Sequence, residues 1–242
     1  MLPSIVALLG FACAAHASPE PIKFTIGWQV SLNAAGRIER MTAIENARVD
    51  RVPQIRARLE QAIREWRFVP GAVDGKPSAT ETGLSVQASL MPPDSSGNVA
   101  IRIDHAGVGG SFLHKVAPKY PPSAVSAHET GEVVVRVAYD ADGNVTSAVL
   151  NKDTPPASAA LVAASLKAAR TSTFRPEVVG GHALAGVAVT PFCYRLEIPG
   201  LSHLEGKCDW TPPGKSEAIN EGEAMAVNPA ASLLTDVAGS ML

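Results

Sequence analysis

The sequence predicts an α+β protein of two tandem β-β-α-β units, each a three-stranded antiparallel sheet packed by one or two helices, with a disordered C-terminal tail. Three observations predict it. Residues 65–77, EWRFVPGAVDGKP, return as residues 171–183, TSTFRPEVVGGHA, with Phe68, Pro70 and Gly75 falling on Phe174, Pro176 and Gly181 at one constant offset. Ahead of each stretch, apolar residues recur first at every second position and then at helical spacing. Beyond Pro199 the composition turns to Gly, Pro, Ser, Ala and Glu.

Residues 1–17 read as a signal peptide. An apolar run from Ile5 to Ala15 is followed by Ala15-His16-Ala17, small residues at the spacing signal peptidase requires, so cleavage is predicted between Ala17 and Ser18. The run is shorter than the about 20 apolar residues of a membrane helix, and no later stretch supplies one. An uncleaved anchor and a lipid on Cys13 are the alternatives. Cleavage removes Cys13 and leaves Cys193 and Cys208, an even pair that in an exported chain reads as a disulfide closing a short loop; two free thiols are the alternative.

In the first unit, residues 18–91, Trp28, Val30 and Leu32 alternate with Gln29 and Ser31 as in a strand with one buried face. Asn33-Ala34-Ala35-Gly36 turns the chain, and residues 38–44 return with imperfect alternation that suggests a bulge. After Asp50 as N-cap, Ile55, Leu59, Ala62, Ile63 and Trp66 make one helix face, with Arg56, Arg58, Glu60, Arg64 and Glu65 outside. Pro70 ends the helix, Asp74-Gly75 turns, and residues 83–90 supply a third strand. Residues 92–112 are a linker in which residues 99–103 can add a strand to the first unit.

In the second unit, residues 113–198, Val133, Val135, Val137 and Tyr139 alternate in a strand, Asp140 to Gly143 turns, and residues 145–150 return. A helix over residues 158–170 runs through Leu161, Leu166 and Ala169 and ends at Phe174-Arg175-Pro176. The last strand, residues 187–196, contains Pro191, which cannot donate to an interior ladder and so argues for a sheet edge. Residues 199–242 are predicted mobile, with residues 230–242 able to form at most a short helix.

Catalytic and metal readings find nothing to build on. The six histidines, His16, His105, His114, His128, His182 and His203, never fall at H-x-x-x-H spacing, there is no C-x-x-C, and G-x-S-x-G is absent around Ser111. Asp140 and Asp142 flank a turn, which explains them. Val108-Gly109-Gly110 lacks the strand-to-helix context of a dinucleotide loop. No enzyme, cofactor or metal is expected. The formal net charge of -2 gives no reason to expect a nucleic acid, and the arginines at 48, 51, 56, 58, 64 and 67 read as a solvated helix face.

At residues 118–124, PKYPPSA, the second unit gains a lead-in, and with it the segment 115–197 resembles the C-terminal domain of TonB, the periplasmic energy transducer. The ordered features are P-x-Y-P-x-x-A, then Gly131, Val133, Val135 and Val137 at alternate positions, Asp142-Gly143-x-Val145, a helix, Phe174-x-Pro176, Gly181 and a last strand ending in an aromatic. The first unit resembles a second, more degenerate copy whose Trp66-Arg67-Phe68-Val69-Pro70 is closer to the family's W-R-F/Y-x-P than its counterpart is.

The resemblance implies a module that contacts outer-membrane receptors and adds a short receptor strand to its sheet edge, main-chain bonds giving affinity with little sequence demand. Carried onto this chain, the partner-binding positions are Tyr120 and Pro121 in the lead-in and Val187, Val189, Pro191, Phe192 and Tyr194 on the last strand; the alternative for each is a place in the core. A transducer also needs an inner-membrane helix coupled to a proton-driven motor, and a Pro-rich bridge. The expected cleavable signal and the lack of that bridge leave the binding module: a periplasmic, non-enzymatic protein with a partner in the cell envelope, an outer-membrane receptor being the family's choice. Two other readings stand beside it. One is an inner-membrane-anchored transducer, touching the membrane through an uncleaved N-terminus; the other binds a small molecule or wall fragment between the units. Short open sheets also permit a homodimer.

Overall fold

The alternating residues at the start of the chain fold into β1 (Ile22–Leu32), with Ile26, Trp28, Val30 and Leu32 buried on one face. The computed structural model describes residues 20–44, 52–197, 204–205, 208, 210–213, 219 and 223–242, so the signal-cleavage site at Ala17 and Ser18 and the helix cap at Asp50 lie outside the described residues. The Asn33 side-chain oxygen accepts from the N–H groups of Ala35 and Arg37, Gly36 turns at φ +70, and β2 (Ile38–Ala43) returns antiparallel. Pairing steps from Arg40 to Ile38, so Glu39 is the extra residue of a bulge, the source of the imperfect alternation.

Helix α1 (Pro53–Arg64) opens on proline, whose missing N–H costs nothing in a first turn, and lays Leu59 and Ile63 on the sheet. Trp66 and the Phe68 of β3 (Phe68–Val69) complete that core, and a small hairpin, β4 (Ala72–Val73) and β5 (Lys76–Pro77), leads to β6 (Thr80–Leu90), which pairs with β1 along its whole length. The strand β7 (Ile101–Gly109) lies antiparallel on the far side of β6.

The second half begins with β8 (Ser111–His114) and the short α2 (Pro122–Ser126). Next come β9 (Gly131–Tyr139), β10 (Val145–Leu150) and α3 (Ala159–Thr171), the helix started by the Ser158 side chain accepting from the Leu161 N–H. β11 (Thr173–Arg175) pairs with β8, the hairpin β12 (Val178–Val179) and β13 (His182–Ala183) follows, and β14 (Gly186–Tyr194) runs antiparallel to β9. Among the described residues, four short strands follow: β15 (Leu196–Glu197) with β16 (Leu204–Glu205), then β17 (Met225–Ala226) and β18 (Ser232–Leu233).

Both halves lock their hairpin to the aromatic-x-proline segment in the same way. The Phe68 N–H donates to the Gly36 carbonyl at 3.0 Å and the Phe174 N–H to the Gly143 carbonyl at 2.8 Å. Both glycines have positive φ, and a Cβ on either would overlap the carbonyl oxygen of its phenylalanine, so glycine at each turn is a packing requirement. Asp140 repeats the turn chemistry of Asn33, its side chain accepting from the N–H groups of Asp142 and Asn144.

The halves are nonetheless interlocked, and each sheet is larger than the three strands predicted. The first has six strands in the order β13-β12-β6-β1-β2, with β7 also on β6, because the second half's hairpin joins it through Val178 opposite Glu81 and Val179 opposite Thr80. The second has four, β10-β9-β14-β17.

A mobile tail over residues 199–242 is corrected for residues 223–242, which are built into the fold, and residues 230–242 contain no helix. β18 pairs with β3; Ala231 and Val237 are buried in the first core; and the last residues pair with β7, the Ile101 N–H donating to the Leu242 carbonyl and the Leu242 N–H to the Ile101 carbonyl. The physical reason is that β7 would otherwise present an unpaired edge above an incompletely covered apolar face, and small apolar tail residues fill that gap. Among the described residues no helix is long and apolar enough to cross a membrane.

Candidate functional site

β14 is positioned by two faces of different chemistry. Toward α3 it presents Ala188, Phe192 and Tyr194, all buried; the Tyr194 hydroxyl donates to the Leu161 carbonyl at 3.2 Å and shares a 2.8 Å hydrogen bond with the Ser165 hydroxyl. Tyr120 stands edge-on to Tyr194 with centroids 5.2 Å apart and donates its hydroxyl to the Glu129 carbonyl, while Pro121 caps α2. The phenols of Tyr120 and Tyr194 are pushed up from the usual tyrosine value, chiefly by burial. Tyr139, stacked on Phe174 at 4.5 Å and also close to Glu177, is pushed up to about 12, by burial first and the carboxylate second.

The opposite face carries Val189 and Val134 under a small separate core made with Trp210 and Ile219, with Met225 and Val227 against it. Trp210 is held at both ends, its main-chain N–H donating to the buried Glu132 carboxylate at 2.7 Å and its indole N–H to the Asp153 carbonyl at 3.0 Å. Cys193, one residue from the end of β14, is cross-linked to Cys208 with Cα atoms 5.6 Å apart, so the predicted pair is bridged and anchors this cover to the sheet.

Of the residues expected to meet a partner, Val189, Pro191, Phe192 and Tyr194 are buried, and Tyr120, Pro121 and Val187 are half-buried. What β14 offers is main chain. Its register with β9 runs without a slip from Gly186 opposite Tyr139 to Tyr194 opposite Gly131. Because the Val187 carbonyl accepts from the Val227 N–H on the outer side, the alternation of an antiparallel strand sends the main-chain groups of residues 187, 189, 191 and 193 outward. β17 takes part of that edge, Ala226 opposite Ala188 and Met225 opposite Val189, and there its pairing ends. Pro191 has no N–H to continue it, and its carbonyl accepts from the Lys115 ammonium at 3.5 Å. Among the described residues no strand pairs with the outer side of residues 190–194.

The sequence located this edge through Pro191 but missed its occupant and its cover. A tryptophan at 210, isolated in a stretch rich in Gly, Pro and Ser, was the available signal. Among the described residues there is no group of three or more His, Cys, Asp or Glu able to hold a metal ion.

Residues 116–196 match the family model of the Gram-negative bacterial TonB protein C-terminal domain. This segment is a TonB C-terminal domain. Two curated relatives, each called Protein TonB and from Xanthomonas campestris pv. campestris strains B100 and ATCC 33913, are 36% identical over 91 residues, which are 38% of this chain and 40% of theirs. The chain thus matches well under half the length of these TonB relatives. No solved structure gives a significant match. The TonB domain contains α2, β9, β10, α3, β14 and the hairpin β12-β13 that joins the first sheet, with Tyr120 and Cys193; β17, Trp210, Cys208 and the strands β1, β2, β6 and β7 of the first sheet lie outside it.

Proposed function

We propose that this protein is a non-enzymatic module of the periplasm that binds an envelope protein by strand addition along the outer edge of β14. One observation carries the reading: the last strand of the TonB domain directs the main-chain groups of residues 187, 189, 191 and 193 outward, and among the described residues a two-residue strand alone pairs with them. The burial of Phe192 and Tyr194 fits this mode, since they hold the edge rigid while the main chain does the binding. The partner is the periplasmic segment of an outer-membrane receptor, as the TonB resemblance implies. The first unit, residues 18–91, with its matching glycine-to-phenylalanine lock, is a degenerate second copy serving as scaffold, and residues 1–17 are the export signal removed after Ala17.

Site-specific cross-linking tests the reading. A photoreactive residue replacing Arg195, exposed at the end of β14, should capture a receptor segment identified by mass spectrometry, and one replacing Val149 on the opposite sheet edge should not. Capture at Val149 with none at Arg195 would refute strand addition at β14.

A further inference from the structure

The edge proposed for the partner is already occupied by the chain itself, and the occupant lies outside the TonB domain. Three features describe how it is held. First, the pairing is minimal: two residue pairs for β17 on β14, against nine for β9 on the same strand. Second, the occupant is tethered on both sides. Cys208 is bonded to Cys193, and Ala230 and Ala231 donate their N–H groups to the buried Glu177 carboxylate at 2.7 and 3.3 Å. Third, its side chains are read by their neighbours. Glu223 accepts from Gln87 at 3.2 Å and from Ser85 at 3.4 Å, and its carbonyl accepts from the Thr190 hydroxyl. Met225 and Val227 pack on the Val134, Val189 and Trp210 core. Ala226 lies so close to Gly109 that a Cβ on that glycine would collide with it, which leaves room for only a small side chain at 226.

We propose that residues 223–227 are a built-in competitor strand, which a partner must displace from β14 and whose side chains define the segment the edge accepts. That segment is extended, runs antiparallel to β14, and reads acidic, small, apolar, small, apolar. The inference rests on strand addition at β14 as the mode of binding. Anchored on both sides, the internal strand competes at high effective concentration, so the edge is closed in the free protein while its anchors stay in place when it leaves. Pro191 limits the competitor to a short pairing, which keeps displacement possible.

The test uses the full chain and two variants that loosen the strand by different means. Val227→Pro removes the N–H that binds the Val187 carbonyl, and Ala226→Leu drives a bulky side chain against Gly109. The probe is a fluorescent peptide of residues 221–229. Both variants should speed amide exchange at Val189 without peptide and should bind the probe about tenfold or more tighter than the wild type, the factor set by the closed fraction of the edge. A probe carrying leucine at the position of Ala226 should bind neither variant. Unchanged exchange at Val189, or equal probe affinity in all three proteins, overturns the competitor. A receptor peptide that fails on variants binding the probe would leave the competitor standing and count against the receptor as partner.

Discussion

Glu177 joins three parts of the molecule that lie far apart in sequence, and its removal should be felt in all of them. The carboxylate is 6% exposed; one oxygen accepts from the Thr82 hydroxyl at 2.8 Å and the Ala231 N–H at 3.3 Å, the other from the Ala230 N–H at 2.7 Å. Glu177→Gln keeps the shape and one acceptor oxygen, so at least one main-chain donor then faces an amide NH2. The loss is one bond to a charged acceptor plus one buried donor left unpaired, about 3 kcal/mol in all. With a urea slope of about 3 kcal/mol/M for a chain of this size, the unfolding midpoint should fall by about 1 M. The control is Glu81→Gln, which removes an ion pair to Arg40 whose side chains are 47% and 70% exposed, and should cost about 0.5 kcal/mol or less. Denaturant unfolding followed by tryptophan fluorescence reads both, and exchange at the Ala230 and Ala231 amides reports the joint itself. Equal small effects for the two variants, with no faster exchange at Ala230, would refute Glu177 as the joint between sheet and tail.

Three further outcomes are expected. Cys208→Ser opens the cross-link to Cys193, separated by 15 residues, and should lower stability by about 3 kcal/mol in the chain-entropy model, measured by thermal unfolding under non-reducing conditions. Gly143→Ala should cost more than about 1 kcal/mol, because the new Cβ meets the Phe174 carbonyl and φ is +85; Gly181→Ala, at the same φ but with nothing near its Cβ, should cost less, and denaturant melts of the pair decide it. All three tyrosines have raised phenol pKa values in the folded protein, Tyr139 near 12. Folding therefore retains protons that the unfolded chain loses near pH 10, so this stabilisation is full below pH 10 and disappears as the pH rises toward 12. Ultraviolet titration should show tyrosine ionisation delayed relative to the unfolded chain, with Tyr139 still protonated at pH 10 until the protein unfolds.

β1 was legible because burial of one face imposes the period-2 pattern on residues 26–32, and β9 through Val133, Val135, Val137 and Tyr139, although Val134 is buried on its other face as well. The turns were legible because Gly36 and Gly143 occupy backbone conformations other residues avoid. The tail was not, for a physical reason: two-residue strands such as Met225–Ala226 and Ser232–Leu233 carry no period, and they form only because β14, β3 and β7 offer edges made elsewhere. β7 was half-legible, because a bulge at Asp104 shifts its core-facing positions from Ile101 and Ile103 to Ala106 and Val108 and so interrupts the period. At the candidate site Pro191 announced the edge, whereas the burial of Phe192 and Tyr194 depended on α3, whose weakly patterned alanine-rich sequence says little about which face it covers.

Strand addition at β14 can be put to an amide-resolved titration of the full-length protein with a synthetic peptide from the periplasmic segment of an outer-membrane receptor. Perturbation and exchange protection concentrated at residues 187–193, with release of residues 225–227, is the predicted result. Changes confined to the other sheet edges, at Ile38–Ala43 or Val145–Leu150, with residues 187–193 undisturbed, would contradict it.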